Sequence, residues 1–327
     1  MKRREVVLGA FALLAGLFAQ VSGAKEFMLA DVHPPGHLMI QVEERMATRL
    51  AETSKGALQI QLRHSGQMGG EGEAWEKVKA GSLDMARVNL AQLAKDMPAV
   101  KLLSLPYLFR SREHMWRVLG GDFGKRIRKE AEQNGAVVLT YYDSGTRSFY
   151  SSKRSIRSLA DFKGLRIRVQ DSPVYKDLIS QLGATPVVLP YDKVADAFQS
   201  GEIDAAENNT PSYVSSGHYK IARYYSLDEH SSVPEVLVIS KKTWSSLSEA
   251  EQKALEHAAS DSSDFMKKLW ADSETQSLAK AKKEGAVVVE KSQIAMAGIE
   301  GYAVKLYSKY ITDSADLETV LAILRVK

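Results

Sequence analysis

Two regions of the chain show the same order of strand and helix patterns, and this repetition limits the possible folds more than any other feature. The first region runs from "EFMLADV" to "SLDMARVN", and the second runs from "LRIRV" to "EIDAAENN". Strand segments such as "LRIRV" alternate aliphatic and polar residues, whereas the segments between strands have helical spacing and stop at glycines. Each region therefore predicts a βαβαβ unit with parallel strands and right-handed crossovers. We expect an α/β protein with two lobes, each a βαβ-type sheet flanked by helices.

A short internal match places asparagines at equivalent points of the two units. Residues 81–89, "GSLDMARVN", align with residues 201–209, "GEIDAAENN", and share a glycine, an aliphatic residue, an aspartate, an alanine and the final asparagine. Each copy leads through a strand to its carboxyl end, where open α/β sheets bind ligands. Asn89 and Asn209 are therefore candidate ligand contacts. The alternative is a chance recurrence of small and turn-forming residues.

The C-terminal third predicts one very long helix. A capping box at residues 248–251, "SEAE", is followed by sequence without proline or glycine as far as about Lys283. At about 1.5 Å per residue this helix would be roughly 50 Å long, which exceeds one lobe and predicts that it spans both. We assign residues 25–147 with about 235–270 to lobe 1, and residues 148–234 with about 271–327 to lobe 2. The ligand cleft is expected between the lobes.

Residues 1–24 have the organisation of a signal peptide. A basic start, "MKRR", precedes an apolar stretch, and "SGA" at residues 22–24 provides small residues for cleavage. A membrane anchor is the alternative, but a spanning helix needs roughly 20 strongly apolar residues and this stretch is shorter. The paired arginines fit twin-arginine export loosely, and the general secretory route fits equally well. We expect a periplasmic protein that is exported through this peptide and is not itself embedded in the membrane.

The absence of cysteine excludes disulfide bonds and a lipoprotein anchor, and the small net charge argues against a nucleic-acid partner. The chain contains no cysteine, so it has no disulfide framework and lacks the cysteine that anchors a lipoprotein. Its net charge is +4, and the signal segment contributes +2 through three basic residues and Glu5. The remaining +2 is too small to indicate a nucleic-acid partner.

Catalytic signatures are missing from the sequence. There is no G-x-S-x-G elbow, no H-E-x-x-H and no phosphate-binding loop, so we predict no catalytic residues and no cofactor. His33 and His37 have a spacing that suits metal ligands on a helix, but two prolines lie between them and disfavour a helix there. We therefore predict no metal site, with one histidine lining a polar pocket and the other facing solvent. An exported hydrolase or lyase remains the enzymatic alternative.

Several linked motifs identify a family. The segments "DSGTRSFYSSK", "GLRIRVQDSPVY", "LGATPVVLP" and "GEIDAAENN" follow one another in order. In order and spacing they resemble the solute-binding proteins of TRAP transporters, the tripartite ATP-independent periplasmic systems. The resemblance implies a two-lobed protein that captures an anionic solute, closes, and delivers it to a membrane permease. It also implies that Arg168 pairs with the ligand carboxylate, that Arg147 assists, and that Asn208 contacts the same end of the ligand.

The resemblance extends to the branch of this family that takes sugar acids, particularly hexuronates such as glucuronate and galacturonate. A polyhydroxylated acid needs several polar contacts besides the arginines. The candidates that could supply them are His33, Asn89, Gln170, Asn208, Asn209 and Glu235. Simple C4-dicarboxylates or 2-oxo acids, which need fewer such contacts, are the alternative ligands. A membrane sensor is the alternative partner to the permease.

Some of these candidates also have structural interpretations. Gln170 fits a surface residue, Glu235 fits a cap at the hinge, and His33 fits a solvated loop. Arg166 shares a strand face with Arg168, and the sequence pattern alone does not separate them. From the family motif, we expect Arg168 to be the anchor and Arg166 to be dispensable.

Overall fold

The computed structural model describes residues 23–327, and the predicted signal peptide lies outside this range except for its last two residues. The strands, in chain order, are β1 (Lys25–Ala30), β2 (Leu58–Arg63), β3 (Met85–Asn89), β4 (Ala136–Tyr142), β5 (Arg147–Ser151), β6 (Arg166–Val169), β7 (Thr185–Val188), β8 (Ala205–Asn208), β9 (Tyr224–Ser231), β10 (Glu235–Ser240) and β11 (Val287–Val289). The helices are α1 (Leu38–Thr53), α2 (Glu71–Ala80), α3 (Pro98–Lys101), α4 (Arg112–Gly120), α5 (Asp122–Gln133), α6 (Pro173–Gln181), α7 (Val194–Gln199), α8 (Thr210–Ser215), α9 (His218–Ile221), α10 (Lys241–Ser245), α11 (Glu249–Lys283), α12 (Met296–Tyr310) and α13 (Ser314–Arg325).

The strands form two mixed sheets in which the parallel and antiparallel strands are arranged in the same way. The lobe 1 sheet has the order β2-β1-β3-β10-β4, and the lobe 2 sheet has the order β11-β9-β5-β8-β6-β7. In lobe 1, β1 pairs in parallel with β2 and β3, and in lobe 2, β6 pairs in parallel with β7 and β8. Both predicted βαβαβ units are therefore confirmed. In each sheet the next strand, β10 or β5, runs antiparallel to the unit.

The inner strands form the cores of both lobes. Every residue of β3, β5, β8 and β10 is buried, so these strands are covered on both faces. Sheets of this kind bind ligands in the crevice outside the carboxyl ends of their parallel strands, where the chain leaves the covered layer. Here those ends are Asn89 of β3, Val169 of β6 and Asn208 of β8.

Two of the crossings between the lobes are short segments that join a strand of one sheet directly to a strand of the other. Residues 143–146 join β4 to β5, and residues 232–234 join β9 to β10. The two crossings lie side by side, because β10 pairs with β4 in lobe 1 and β9 pairs with β5 in lobe 2. The predicted boundary at 234/235 coincides with the second crossing, but the boundary at 147/148 lies one residue beyond the first. Arg147, which the prediction assigns to lobe 1, begins β5 of lobe 2. The two segments form the hinge.

Helix α11 spans both lobes, as predicted. It begins at the capping box, in which the Ser248 hydroxyl accepts a hydrogen bond from the Glu251 amide and the Glu251 carboxylate accepts one from the Ser248 amide. Leu255 and Met266 pack in the lobe 1 core beside α1, and Ala281 packs in a lobe 2 cluster. Among residues 23–327, no helix, including α11, is both long and apolar enough to cross a bilayer.

The C-terminal helices differ from the predicted lobe assignment. Helix α12 packs against α6 of lobe 2, but α13 returns to lobe 1. There the His114 ring donates from Nε2 to the Ile323 carbonyl at 2.8 Å, and Arg126 donates to Thr319 Oγ1 at 3.0 Å. The assignment of residues 271–327 to lobe 2 is therefore wrong for α13. Val320 and Ile323 of α13 are buried in the core cluster that also contains Met115 of α4 and Ile127 of α5. Local sequence patterns do not indicate this placement.

The hinge provides a test of the fold. Gly145 has φ +61°, and a Cβ atom there would lie 2.6 Å from Glu274 Oε1 and 2.9 Å from the Trp270 ring. We expect Gly145→Ala to lower the free energy of unfolding by about 2–4 kcal/mol, through left-handed strain together with overpacking. The control is Gly217→Ala, at φ +73° with nothing within 4 Å of the added carbon, which should cost only about 1–2 kcal/mol. Urea unfolding measures both, and equal losses would contradict the close packing at the hinge.

Candidate ligand-binding site

Arg168 is a buried cation without an internal counter-ion. It lies on β6 between β7 and β8, is 2% exposed, and donates from Nε to the Leu189 carbonyl at 2.9 Å. Among residues 23–327 it takes part in no ion pair and its two Nη atoms have no hydrogen-bond acceptor. Burial lowers the pKa of Arg168, although an arginine remains charged. Burial of a guanidinium without an ion pair is energetically costly.

Arg166, two residues away on the same strand, is in a different environment. Its side chain is 45% exposed and forms a two-bond ion pair with Asp204, with both nitrogen–oxygen distances at 2.9 Å. The structure therefore separates two arginines that the strand pattern could not distinguish.

The side chains around Arg168 are polar, and the carboxylate that stabilises its charge most strongly, Glu207, is itself paired with Arg147. The Tyr150 hydroxyl and His218 Nδ1 are 2.8 Å apart, and the Tyr191 hydroxyl donates to the Ser212 carbonyl at 3.2 Å. Burial, reinforced by the positive charge of Arg168, lowers the pKa of His218 to about 3. His218 is therefore neutral at physiological pH.

Arg147 is paired within lobe 2. Its Nε and Nη2 donate to the Glu207 carboxylate, and its Nη1 donates to Asn208 Oδ1 at 2.9 Å. Burial would raise the pKa of Glu207, but Arg147 and His230 outweigh burial and hold it at about 2. Arg147 therefore keeps one Nη1 hydrogen for another partner, and Asn208 Nδ2 has no acceptor among residues 23–327.

His230 and Asp228 form a second internal pair in lobe 2. His230 Nδ1 lies 2.8 Å from Asp228 Oδ2, and the ring stacks on Phe149 with centroids 4.3 Å apart. Burial would lower the pKa of His230, but Asp228 and Glu207 raise it to about 9. Since Glu207 neutralises Arg147 and Asp228 neutralises His230, this wall retains one net positive charge, on Arg168.

Lobe 1 presents carboxyl groups gathered around one guanidinium. Arg87 donates from Nε to Asp31 at 2.7 Å, and its Nη1 contacts Glu71 and lies 3.1 Å from Glu235 Oε1. These four side chains, Arg87, Asp31, Glu71 and Glu235, are all buried and are called the Arg87 cluster below. Burial raises the pKa of Glu235 to about 7 despite Arg87. Burial would also raise the pKa of Asp31, but Arg87 and His33 outweigh it and hold that pKa well below its ordinary value.

Gln170 and Glu235 carry acceptor oxygens without partners. Gln170 extends from lobe 2 toward the Arg87 cluster, with its Nε2 3.5 Å from Glu71 Oε2. Its own Oε1 and the Oε2 of Glu235 are buried and have no donor within the described chain. The site thus combines a cation without an ion pair in lobe 2 with buried, unpaired acceptor oxygens on Gln170 of lobe 2 and Glu235 of lobe 1.

Asn89 and Asn209 have the same local role, which explains the internal sequence match. Asn89 Oδ1 accepts from the Ala91 amide at 3.0 Å, and Asn209 Oδ1 accepts from the Ser212 amide at 2.8 Å, so each caps the helical turn after its strand. Asn89 also donates from Nδ2 to the Val233 carbonyl in the hinge. Asn89 Nδ2 therefore keeps one free hydrogen, and Asn209 Nδ2 has no acceptor for either hydrogen among residues 23–327.

His33 and His37 are both buried, so the prediction that one of them faces solvent is wrong. Their rings stack with centroids 3.7 Å apart. His37 caps α1 by accepting from the Met39 amide, and its Nε2 lies 3.1 Å from Ser212 Oγ in lobe 2. Burial lowers the pKa of His37 well below its ordinary value, so this contact between the lobes involves a neutral ring. His33 Nδ1 lies between Asp31 Oδ1 and Arg87 Nη2, at 2.9 and 3.0 Å.

Comparison with known proteins now identifies the family. The profile described as "Bacterial extracellular solute-binding protein, family 7" matches residues 29–313. The chain belongs to this family. The predicted TRAP resemblance and the two-lobed fold are confirmed by solved structures of TRAP periplasmic solute-binding proteins.

Three of these structures illustrate the similarity. One from Bradyrhizobium sp. BTAi1, in complex with α/β-D-galacturonate, is 40% identical with a TM-score of 0.86 and covers 91% of this chain and 99% of that chain. One from Xanthobacter autotrophicus Py2, with bound β-D-galacturonate, is 36% identical with a TM-score of 0.87 and covers 92% and 100%. One from Roseobacter denitrificans, with bound β-D-glucuronate, is 32% identical with a TM-score of 0.88 and covers 93% and 100%.

Several residues of this family 7 protein were missed by the sequence analysis. They are Asp31, Glu71, Arg87, Glu207, Asp228 and His230. Glu207 could have been found, because it precedes Asn208 in the family motif "GEIDAAENN" and lies on a wholly buried strand. No local signal marks Arg87 or Glu71, since they are 16 residues apart and meet only in the fold.

The pKa of His230 predicts how the solute-binding protein responds to alkaline pH. Because its folded-state pKa of about 9 lies above the ordinary value of 6.5, its stabilising effect is complete below about pH 6.5 and is lost as pH rises toward 9. We expect the free energy of unfolding to fall by on the order of 3 kcal/mol across this window. Urea unfolding at several pH values should show this slope in the wild type and in the exposed-site control His257→Gln. An undiminished slope in His230→Gln would contradict the assignment.

Proposed function

We propose that this protein binds a hexuronate, glucuronate or galacturonate, in the cleft between its lobes and delivers it to a TRAP membrane permease. We further propose that residues 1–24 export it to the periplasm. The observation that carries the proposal is the unpaired, 2% exposed guanidinium of Arg168. A ligand carboxylate supplies the missing anion.

The geometry around Arg168 favours a carboxylate over other anions. A planar guanidinium makes two parallel charge-assisted bonds to a carboxylate, which fix the ligand's orientation as well as its charge. Arg168 keeps its Nη atoms for this purpose because its Nε is held by Leu189. The spare Nη1 hydrogen of Arg147 and the free Nδ2 of Asn208 provide further donors on the same wall.

The remaining groups of the site favour a polyhydroxylated ligand. Gln170 Oε1 and Glu235 Oε2 are buried acceptors that need donors, and sugar hydroxyl groups provide them. A simple 2-oxo acid would leave these oxygens unpaired, which typically costs about 1–3 kcal/mol for each buried group. Three similar structures, 32–40% identical to this chain, were solved with galacturonate or glucuronate, and this supports the same ligand class here.

We infer binding without turnover at this site. The carboxylates that could act as bases next to Arg168 are already committed, Glu207 to Arg147 and Asp228 to His230. His218 is neutral and buried beside Tyr150. The family consists of solute-binding proteins, which agrees with a carrier role.

Two arginines on one strand allow a matched test. We expect Arg168→Ala to weaken hexuronate binding by roughly two to four decades, because it leaves the ligand carboxylate buried and unpaired, at a cost of about 3–5 kcal/mol. Arg166→Ala removes the same side chain two residues away, where it only pairs with Asp204 near the surface, and should change the dissociation constant less than threefold. Isothermal titration calorimetry with glucuronate and galacturonate measures both variants.

The calorimetry tests whether Arg168 anchors the ligand, and a separate screen tests the ligand class. Equal losses in the two variants would show that Arg168 is not the anchor. A thermal-shift screen of organic acids on the wild-type protein tests the ligand class itself, and the absence of stabilisation by every uronate would reject the hexuronate proposal.

A further inference from the structure

The two walls of the cleft carry opposite imbalances of charge. In lobe 2, the neighbouring cations are neutralised within the protein, so Arg168 is the one unpaired positive charge among the described residues of that wall. In lobe 1, the Arg87 cluster sets one guanidinium against three carboxyl groups. The lobe 2 wall therefore has one excess positive charge, and the lobe 1 wall has an excess of carboxyl groups.

Buried acceptor oxygens occupy the space between these walls. Glu235 is 5% exposed and Gln170 is 7% exposed, and each has one side-chain oxygen without a donor among residues 23–327. Gln170 follows Arg168 by two residues, and its amide nitrogen approaches Glu71. Its side chain thus extends from the cation toward the Arg87 cluster. Because native structures rarely leave such oxygens unpaired, they point to a ligand that donates hydrogen bonds here.

We propose that the Arg87 cluster restricts the site to acids that carry one carboxylate and present hydroxyl groups at the opposite end, and that it rejects the corresponding diacids. This inference rests on the proposed function, since Arg168 has to take the ligand's carboxylate. A hydroxyl group donates to Glu235 or Gln170, whereas a second carboxylate brings only acceptors and a like charge. Glu71 and Glu235 are then specificity-determining residues.

A pair of acids that differ in charge at one end tests this selectivity. Galactarate carries a carboxylate in place of the C1 aldehyde group of galacturonate and therefore cannot close into the pyranose ring. The open-chain acid galactonate, which differs from galactarate only in a CH2OH group in place of one carboxylate, controls for this difference in shape. Calorimetry at pH 8, above the pKa of about 7 of Glu235, ensures that the cluster carries its charge. We expect the wild-type protein to bind galacturonate at least about 100-fold more tightly than galactarate, because like charges brought together in a buried site cost several kcal/mol.

Substitutions in the cluster should reduce this preference. Glu235→Gln and, separately, Glu71→Gln keep the side-chain shape but remove one negative charge, so each should lower the ratio of the two affinities to about tenfold or less. Glu26→Gln removes a negative charge from an exposed position on β1 of the same lobe and should leave the ratio unchanged. Circular dichroism verifies that each variant is folded, and using two independent cluster variants protects the test against failure of one of them to fold.

The outcomes distinguish this inference from the proposed function. Comparable affinity of the wild type for both acids, or an unchanged ratio in the folded cluster variants, would overturn charge selection by the cluster. If the wild type binds no hexuronate, the proposed ligand is wrong, and a shorter pair, D-erythronate and meso-tartrate, decides the selectivity in the same way. Preference for the monoacid would support the inference, and equal or tighter binding of tartrate would overturn it.

Discussion

The binding site depends on the burial of one positive charge that the protein does not neutralise. Removing an ion from water costs several kcal/mol unless an opposite charge replaces the lost hydration. Arg168 is held in this position by the pairing of β6 with β7 and β8 and by its bond to the Leu189 carbonyl. Glu207 is the nearest candidate to neutralise it, but Arg147 and His230 occupy that carboxylate. The second arginine and the buried histidine thereby keep the first arginine available for a ligand.

The two lobes contribute different parts of this arrangement, and the hinge brings them together. Lobe 2 supplies the cation, and lobe 1 supplies the Arg87 cluster at the carboxyl ends of β1 and β3 and at the start of β10. Contacts between His37 and Ser212 and between Gln170 and Glu71 join the walls. Two adjacent strand-to-strand crossings link the lobes, and α11 connects the lobes and packs on both of them. The candidate site is therefore built from side chains that neither lobe contains alone.

Much of this fold could be predicted because it depends on local patterns. Alternating residues, glycine stops and the capping box at Ser248 are signals within a few residues, and they indicated both βαβαβ units and α11. The position of α13 could not be predicted, because its apolar face matches more than one surface. The internal match correctly related Asn89 to Asn209, but their shared role is helix capping, which the sequence pattern does not distinguish from ligand contact. The Arg87 cluster was missed because its members, 16 to 148 residues from Arg87, meet only through the sheet.

The most direct test of the central claim changes the ligand's charge and leaves the protein intact. Galacturonamide has the same ring and hydroxyl groups as galacturonate, but a neutral amide replaces the carboxylate. If Arg168 is an uncompensated cation that selects an anion, calorimetry on the wild-type protein should show that the amide binds about 100-fold or more weakly than the acid. Comparable affinities for the acid and the amide would contradict the account.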